Sequence, residues 1–178
     1  MHKVTLVSES LKNFRTVGMI TSSSRAAARK MTKPVDFSEA KVIVEFGGGD
    51  GAITREILKR LDKEAQLFTF EINPRFAKAL KDFEDPRFTV IEDSATKASE
   101  ILKYFNADQV DYVISTLPLA LMDEKTNDEV LNAVDKILKP KGKYIQIQYS
   151  LVSRKRIKNK FPKLKIDFTF LNLPPAFF

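Results

Sequence analysis

The fold is decided by the stretch Val42-Ile-Val-Glu45-Phe-Gly47-Gly-Gly49-Asp-Gly51. Apolar residues run directly into a cluster of glycines, and residues 52–61 then carry apolar side chains at helical spacing. This pattern predicts a strand, a tight turn and a helix. Gly47, Gly49 and Gly51 tolerate positive φ and have no side chain, so the backbone of the turn can approach a bound nucleoside closely. The ligand of this turn determines what the chain does.

The same strand and helix pattern repeats along the chain. Further strands are predicted over residues 67–72, 88–93, 110–115, 143–149 and 165–171, and the turn Pro140-Lys-Gly142 precedes the fifth of the six strands. Helices are predicted after Asn73-Pro74 and over residues 96–105, 127–138 and 152–160. Regular alternation predicts one α/β domain, residues 1–178, with a doubly wound, mostly parallel sheet and a ligand site at the carboxyl ends of its strands. The residues after position 173 leave little chain for a seventh, antiparallel strand, which we expect to be short or missing.

Composition excludes several kinds of site. The 178 residues include no Cys and a single His, His2. Disulfides, thiolate metal sites and Ser-His-Asp triads are therefore excluded, and we expect no metal. No apolar run approaches the ~18 residues that a membrane span needs, so we expect a soluble, cytoplasmic protein without a secretory signal.

Charge is distributed unevenly along the chain. Residues 1–33 contain seven Lys or Arg against one acid, residues 139–165 contain ten against none, and residues 34–138 contain thirteen against twenty-one. Basic ends favour an anionic partner such as phospholipid head groups or nucleic acid, although a solvated surface gives the same pattern. Residues 1–33 are expected to form a basic helical extension. Its residues 11–20 have an amphipathic pattern, typical of a helix that lies on a membrane or one that caps the core.

Two cofactor classes fit the glycine turn. Gly47, Gly49 and Ala52 satisfy the relaxed dinucleotide pattern G-x-G-x-x-A, and Glu71 lies where a ribose-binding acid is expected. A dinucleotide-dependent oxidoreductase is therefore one interpretation.

Three other features favour S-adenosylmethionine. Glu45 lies among apolar residues just before the turn, where its carboxylate can approach the ammonium of the methionine moiety or its ordered waters. Asp93 ends the third strand and can bond the adenine amino group, a role that the adjacent Glu92 could take instead. Ser115-Thr-Leu-Pro118 ends the fourth strand, at the mouth where a methyl acceptor would lie. Glu71 then binds the ribose, or it only caps the helix that follows.

These residues resemble the successive motifs of class I S-adenosylmethionine-dependent methyltransferases. The resemblance is carried by the glycine turn, Phe70-Glu71-Ile-Asn-Pro74, Ile91-Glu-Asp-Ser-Ala95 and Leu138-Lys-Pro-Lys-Gly142. It implies a Rossmann-like fold with a site for this cofactor. The cofactor-binding residues that it implies are Glu45, Gly47, Gly49, Gly51, Glu71, Ile72, Asp93, Ser94, Ala95 and Ser115.

A narrower resemblance, to bacterial phospholipid N-methyltransferases, extends nearly from end to end. It is carried by the segments Asn13–Gly18, Ser22–Arg29, Ser115–Leu119, Gln146–Tyr149 and Asn172–Ala176. It implies transfer of a methyl group to the amine of phosphatidylethanolamine or a related phospholipid, at an anionic surface on the inner face of the membrane. The substrate-binding residues that it implies are Ser22, Leu117, Pro118 and Leu119.

Tyr149 ends the predicted fifth strand and is our candidate catalytic residue, although core packing would also explain it. Tyr149, a carboxylate, a backbone carbonyl or water could take the amine proton, and in-line displacement at the sulfonium methyl then needs no metal. The rRNA adenine N6-dimethylases, which are related, carry N-L-P-Y or similar where this chain has Ser115-Thr-Leu-Pro-Leu119. Without the aromatic ring a flipped base has poor support, so RNA is a less favoured acceptor, as is a small molecule.

Overall fold

The computed structural model describes residues 25–148, 150–169 and 176–177. Helices and strands alternate along these residues, and short 3₁₀ helices, Ala95–Lys97 and Leu119–Leu121, follow the third and fourth strands. The α-helices are α1 (Arg25–Thr32), α2 (Ala52–Leu58), α3 (Pro74–Lys81), α4 (Ala98–Tyr104), α5 (Glu124–Ile137) and α6 (Arg154–Lys160). The strands are β1 (Val42–Phe46), β2 (Gln66–Phe70), β3 (Phe88–Ile91), β4 (Val110–Ser115), β5 (Leu138–Gln146), β6 (Phe168–Thr169) and β7 (Ala176–Phe177).

Five strands form a parallel sheet in the order β3-β2-β1-β4-β5. β1 lies at its centre, and four of its five residues are buried, because a central parallel strand is covered on both faces. All five strands run in the same direction, so the segments that follow them meet at one end of the sheet, which we call the carboxyl end. The predicted doubly wound, mostly parallel α/β fold is confirmed.

Helices cover both faces of the sheet. On one face, α4, α5 and α6 pack against strand residues that include Phe46 and Val113. On the other face, α1 and α2 pack against residues that include Ile43 and Ile114. Neighbouring residues of one strand thus belong to opposite cores, as the pleat requires. Packing on both faces holds the strands in place, and with them the segments that follow the strands at the carboxyl end.

The fifth strand differs from the prediction. It begins at Leu138 rather than at residue 143, and it contains the predicted turn Pro140-Lys-Gly142 as an irregularity within the strand. Val110 pairs with Leu138, but the next paired residue on β4, Tyr112, lies opposite Lys143, so the intervening residues of β5 bulge out of the ladder. Proline lacks an N–H for the ladder and is tolerated at such a bulge.

The C-terminal strands are short. β6 and β7 pair antiparallel, with Phe168 opposite Phe177 and Thr169 opposite Ala176. Phe177 also pairs antiparallel with Gln148, through two backbone hydrogen bonds of 2.8 Å. β6 begins three residues later than the predicted sixth strand, and β7 is the short antiparallel strand that the sequence left in doubt.

Within the basic extension expected over residues 1–33, the described part forms the helix α1, Arg25–Thr32. The amphipathic segment over residues 11–20 lies outside the described residues, and a single domain over residues 1–178 stays a prediction. In the ranges that the structure describes, none of the helices is both long enough and apolar enough to cross a membrane.

Candidate active site

The turn between β1 and α2 brings backbone, rather than side chains, to the carboxyl end of the sheet. Gly47, Gly49 and Gly51 have φ values of 83°, 53° and 78°, which residues with a Cβ rarely adopt. A Cβ on Gly47 would lie 2.7 Å from Oγ1 of Thr116, whereas a Cβ on Gly49 would meet no atom within 4 Å. The turn is closed on the side of β4 and open at Gly49, where a ligand can approach the backbone.

Glu45 is completely buried in β1, directly before the turn. Its Oε2 accepts hydrogen bonds of 2.7 Å from the hydroxyls of Thr54 and Thr69, and its Oε1 has no partner among the described residues. Burial raises the pKa of Glu45 to about 7, against the lowering effect of the two hydroxyls. A buried carboxylate with one unpartnered oxygen can accept a cationic group such as an ammonium.

Glu71 follows β2 and connects the turn to the next helix. Its Oε2 accepts a hydrogen bond of 2.9 Å from the backbone N–H of Gly49, and its Oε1 accepts one of 2.8 Å from the N–H of Asn73. Asn73 in turn caps α3 by accepting from the N–H of Arg75. Glu71 therefore supports the helix start and also lies against the open position of the turn, so the two roles expected for it are compatible. The half-buried Ile72 lies between these contacts.

The segment after β3 holds the predicted adenine-binding residues. Asp93 accepts from the N–H of Ser94 at 2.6 Å and from Nζ of Lys97 at 2.9 Å. Burial acts to raise the pKa of Asp93, but the hydrogen bonds from Lys97 and Ser94 outweigh it and hold the pKa below its usual value. Ser94 caps the 3₁₀ helix that begins at the buried Ala95. The neighbouring Glu92 instead pairs with Lys81 at 3.2 Å.

Residues 116–121, which we call the acceptor loop, follow β4 beside the glycine turn. Oγ1 of Thr116 donates to the carbonyl oxygen of Gly47 at 2.7 Å, and the Thr116 N–H donates to that of Phe46 at 2.9 Å. Ser115, completely buried, accepts from the N–H of Leu117 at 3.3 Å. The loop therefore touches the turn directly, so the predicted cofactor and acceptor residues lie side by side.

Within the acceptor loop, Leu117 and Pro118 are half-buried and Leu119 is buried. The carbonyl oxygen of Leu119 accepts a hydrogen bond of 2.6 Å from Nδ2 of Asn127 in α5. Leu117 and Pro118 thus remain partly accessible, while Leu119 anchors the loop to α5. Ser22 and Tyr149 lie outside the described residues. Among residues 25–148, 150–169 and 176–177, no group of three His, Asp or Glu side chains could hold a metal ion.

Sequence reasoning gave no role to several side chains that build this site. Thr54 and Thr69 hold the carboxylate of Glu45, and Thr116 joins the acceptor loop to the turn. One signal for Thr69 was available, because it is a polar residue in a buried strand and lies opposite Glu45 in the β1–β2 register. The amides of Gln146 and Gln148, both nearly buried, also reach the acceptor loop.

The residues present fit S-adenosylmethionine. Its methionine ammonium would pair with the unpartnered Oε1 of Glu45, and its ribose hydroxyls would bond the carboxylate of Glu71. The open position at Gly49 would let the cofactor approach the backbone of the turn. These residue roles stay predictions. The acceptor loop on the other side of the turn contains no charged residue.

Comparisons with known proteins agree with this geometry. The profile of a family described as a methyltransferase domain matches residues 44–144, more than half of the chain. An ornithine lipid N-methyltransferase of Singulisphaera acidiphila is 27% identical over 168 residues, covering 93% of this chain and 88% of the relative.

Two solved structures share the fold at low identity. The precorrin-6y C5,15-methyltransferase of Geobacter metallireducens has a TM-score of 0.64 at 18% identity, over 85% of this chain and 77% of that one. The mitomycin 7-O-methyltransferase has a TM-score of 0.61 at 19% identity, over 81% of this chain but only 42% of that one. The family match decides between the two cofactors that the glycine turn alone left open. The chain belongs to the methyltransferase domain family and is a class I enzyme that uses S-adenosylmethionine as methyl donor.

Proposed function

We propose that this enzyme methylates the amine of a phospholipid, phosphatidylethanolamine or a related amino lipid. The ornithine lipid N-methyltransferase supports this acceptor class because it aligns with nearly the whole chain. The observation that carries the proposal is a set of exposed apolar side chains on the segments that follow β4 and β5. Leu121, Leu151 and Val152 are 44%, 42% and 78% exposed. Apolar residues exposed beside a reaction site are suited to contact with lipid chains.

Basic residues continue this surface along α6. Arg156 pairs with Glu124 and Asp128 at the start of α5, which brings the start of α6 close to the end of the acceptor loop. Arg154, Lys155 and Lys158 are exposed and form no ion pair with any residue that the structure describes. These cations can bind lipid phosphates while the apolar residues enter the head-group region. We call Leu121, Leu151, Val152, Arg154, Lys155 and Lys158 the lipid-facing rim.

The basic extension, residues 1–33, is a second proposed contact with an anionic membrane surface on the cytoplasmic side. Its sequence is amphipathic and basic. Together with the rim, this segment would add to the attraction between the chain and anionic head groups. An amine that projects from the bilayer could then enter the acceptor loop without leaving its lipid.

The chemistry requires alignment and a neutral amine. S-adenosylmethionine, when bound, supplies a methyl group that is already electrophilic, so the protein has mainly to orient the nucleophile. Thr116 fixes the acceptor loop to the turn that would hold the donor. We propose that the amine proton passes to water or to Tyr149, which can accept it only as the phenolate.

The test of acceptor identity is a label-transfer assay. Enzyme and methyl-labelled S-adenosylmethionine are mixed with vesicles that contain phosphatidylethanolamine or ornithine lipid, and with RNA and soluble amines as alternative acceptors. We expect label in an amino lipid, at a rate that falls as salt screens the anionic vesicle surface. Label only in RNA or in soluble amines would refute the lipid assignment.

The rim is tested by replacing Leu151 and Val152 together with Ser. Full burial of two such side chains would contribute roughly 3 kcal/mol, or about 100-fold, but Leu151 and Val152 are already partly buried, so vesicle binding should weaken at least about tenfold. Binding of S-adenosylmethionine should not change. Tyr104→Ser is the matched control, because Tyr104 is 80% exposed but lies at the end of α4, away from the rim. Equal vesicle binding by the unmodified enzyme, the double variant and Tyr104→Ser would show that the rim does not contact the membrane.

A further inference from the structure

The carbonyl oxygen of Leu117 is the most heavily bonded atom of the acceptor loop. It accepts hydrogen bonds from the N–H of Leu119 at 2.9 Å, from Nε2 of Gln146 at 3.0 Å and from Nε2 of Gln148 at 3.2 Å. The two glutamines are two positions apart, so both side chains leave the same side of the chain at the end of β5. Their exposed fractions are 9% and 8%. Two nearly buried amides therefore converge on one carbonyl group.

The residue before Leu117 is fixed to the glycine turn. Thr116, the residue before Leu117, donates its hydroxyl to the carbonyl oxygen of Gly47 at 2.7 Å. Leu117 itself would be in contact with a Cβ on Gly47, at 3.4 Å from its Cδ2. Thr116 and Leu117, two consecutive residues, are thus held between the glycine turn on one side and the two amides on the other.

Each glutamine is itself anchored. Tyr144 donates a hydrogen bond from its hydroxyl to Oε1 of Gln146, and Nε2 of Gln146 also donates to the carbonyl oxygen of Ile147 at 2.7 Å. Gln148 lies beyond the last residue of β5, and both of its backbone groups bond Phe177 of β7. The short C-terminal strand therefore holds Gln148 in place, and Gln148 holds the acceptor loop.

We propose that Gln146 and Gln148 are positioning residues for the methyl acceptor, which hold the carbonyl of Leu117 and thereby fix the acceptor loop against the glycine turn. This inference rests on the proposed methyl transfer to an amine. Displacement at the methyl group needs the nucleophile in line with the breaking bond, and a misplacement of ~1 Å can lower a rate about 100-fold. A loop held by neutral amides keeps that alignment without placing a charge beside the amine.

The first test is Gln148→Met, which keeps the length of the side chain and removes its donor. We expect kcat with the lipid acceptor to fall about 10- to 100-fold, while the Kd of S-adenosylmethionine and the KM of the acceptor change less than about threefold. Gln109→Met is the matched control, because Gln109 is exposed and precedes β4, at the opposite end of that strand from the acceptor loop. Retention of more than about half of kcat, or a parallel loss of cofactor affinity, would overturn the positioning role.

The second test is Gln148→Glu, read as a ratio of its kcat to that of the unmodified enzyme across pH. An ionised carboxylate cannot donate to the Leu117 carbonyl, whereas a protonated carboxyl group can. The ratio should therefore rise as pH falls through the pKa of the new carboxyl group, and the ratio for Gln148→Met should stay flat. A flat ratio for both variants would overturn the hydrogen-bond role, since a purely structural defect would not depend on this proton.

The third test separates this inference from the proposed function, because it needs no acceptor. Hydrogen exchange is followed over residues 116–122 in Gln148→Met and in the Gln109→Met control. Faster exchange in the first variant alone supports the hold on the loop, and equal exchange overturns it. Should the unmodified enzyme methylate no amine at all, the proposed function fails while this measurement still decides whether the amides hold the loop.

Discussion

The donor side and the acceptor side of the carboxyl end are built from different chemistry. The donor side combines three carboxylates, Glu45, Glu71 and Asp93, with the bare backbone of the glycine turn. The acceptor side holds its loop with hydroxyl and amide groups, from Thr116, Asn127 and the two glutamines of the β5 end. The two sides meet at the contact between Thr116 and Gly47.

This difference suits the ligand proposed for each side. A nucleoside with a cationic amino-acid moiety is bound well by carboxylates and N–H groups. An amine acceptor must be neutral to attack, and a carboxylate beside it would raise its pKa and keep it protonated. The uncharged acceptor loop therefore suits an amine nucleophile, and variants can test whether the two sides are as separate as their chemistry suggests.

The largest effect is expected where the two sides meet, in Gly47→Ala. An L-residue at φ 83° is strained by roughly 1–2 kcal/mol, and its Cβ would displace Thr116, which lies only 2.7 Å away. We expect unfolding free energy to fall by about 2 kcal/mol or more, with loss of both cofactor binding and transfer. Thermal unfolding and calorimetric binding measure these effects.

Gly49→Ala is the control for strain without a clash. Its φ is also positive, but a Cβ there meets no atom within 4 Å. It should therefore lose less stability than Gly47→Ala while still filling the space that the cofactor approaches. Equal stability of the two variants would contradict the view that Gly47 joins the donor side to the acceptor side.

The next largest effect is expected from Glu45→Gln, which tests the donor side alone. The charged hydrogen bond proposed between Glu45 and the cofactor ammonium would contribute about 1.5–3 kcal/mol, so affinity for S-adenosylmethionine should fall about 10- to 100-fold at pH 8. Because a cation favours the ionised carboxylate, affinity in the unmodified enzyme should rise as pH increases through about 7, the pKa of Glu45. Glu45→Gln should lack this rise, and an affinity equal to that of the unmodified enzyme at every pH would contradict the assigned role.

Stability without cofactor should change with pH in the opposite direction. The folded-state pKa of Glu45, about 7, lies above its ordinary value of 4.5, so the folded protein binds this proton more tightly than the unfolded chain does. The resulting stability is present below pH 4.5 and is lost as pH rises through 7, a change on the order of 3 kcal/mol. Unfolding of Glu45→Gln should lack this loss. A parallel pH dependence in both proteins would show that Glu45 is not its source.

The donor side could be read from the sequence far better than the acceptor side. Its residues follow single strands at fixed spacing from a glycine cluster, so local pattern alone places them, and the predicted strand Val110–Ser115 also has the observed bounds. Contacts across the fold could not be read in the same way. The partners of Glu45 depend on strand register and on α2, and the hold on Leu117 depends on Gln148 being paired with a two-residue strand at the far end of the chain. Long-range pairing of this kind leaves no periodic signal.

A smaller effect is expected from Thr116→Val, which cuts one connection between the two sides. The substitution keeps the shape and removes the hydroxyl that donates to the carbonyl oxygen of Gly47. A single hydrogen bond contributes about 1 kcal/mol, so kcat and cofactor affinity should each fall about fivefold. Thr116→Ser retains the hydroxyl and should restore both. Loss of only one of these two properties would mean that Thr116 serves one side rather than connecting them.

The smallest effect is expected from Asp93→Asn, compared with Glu92→Gln. The side chains of Asp93 and Glu92 are 34% and 43% exposed, so solvent screens both carboxylates. The loss of one screened hydrogen bond in Asp93→Asn should weaken S-adenosylmethionine binding about threefold. Glu92 is engaged with Lys81, so Glu92→Gln should change binding less than about twofold. Because the pKa of Asp93 is held below its usual value, this carboxylate stays ionised near neutral pH, and its effect should not vary between about pH 6 and 8, unlike that of Glu45. Titration calorimetry at both pH values measures these affinities. A larger loss of cofactor affinity in Glu92→Gln than in Asp93→Asn would reverse the assignment to Asp93.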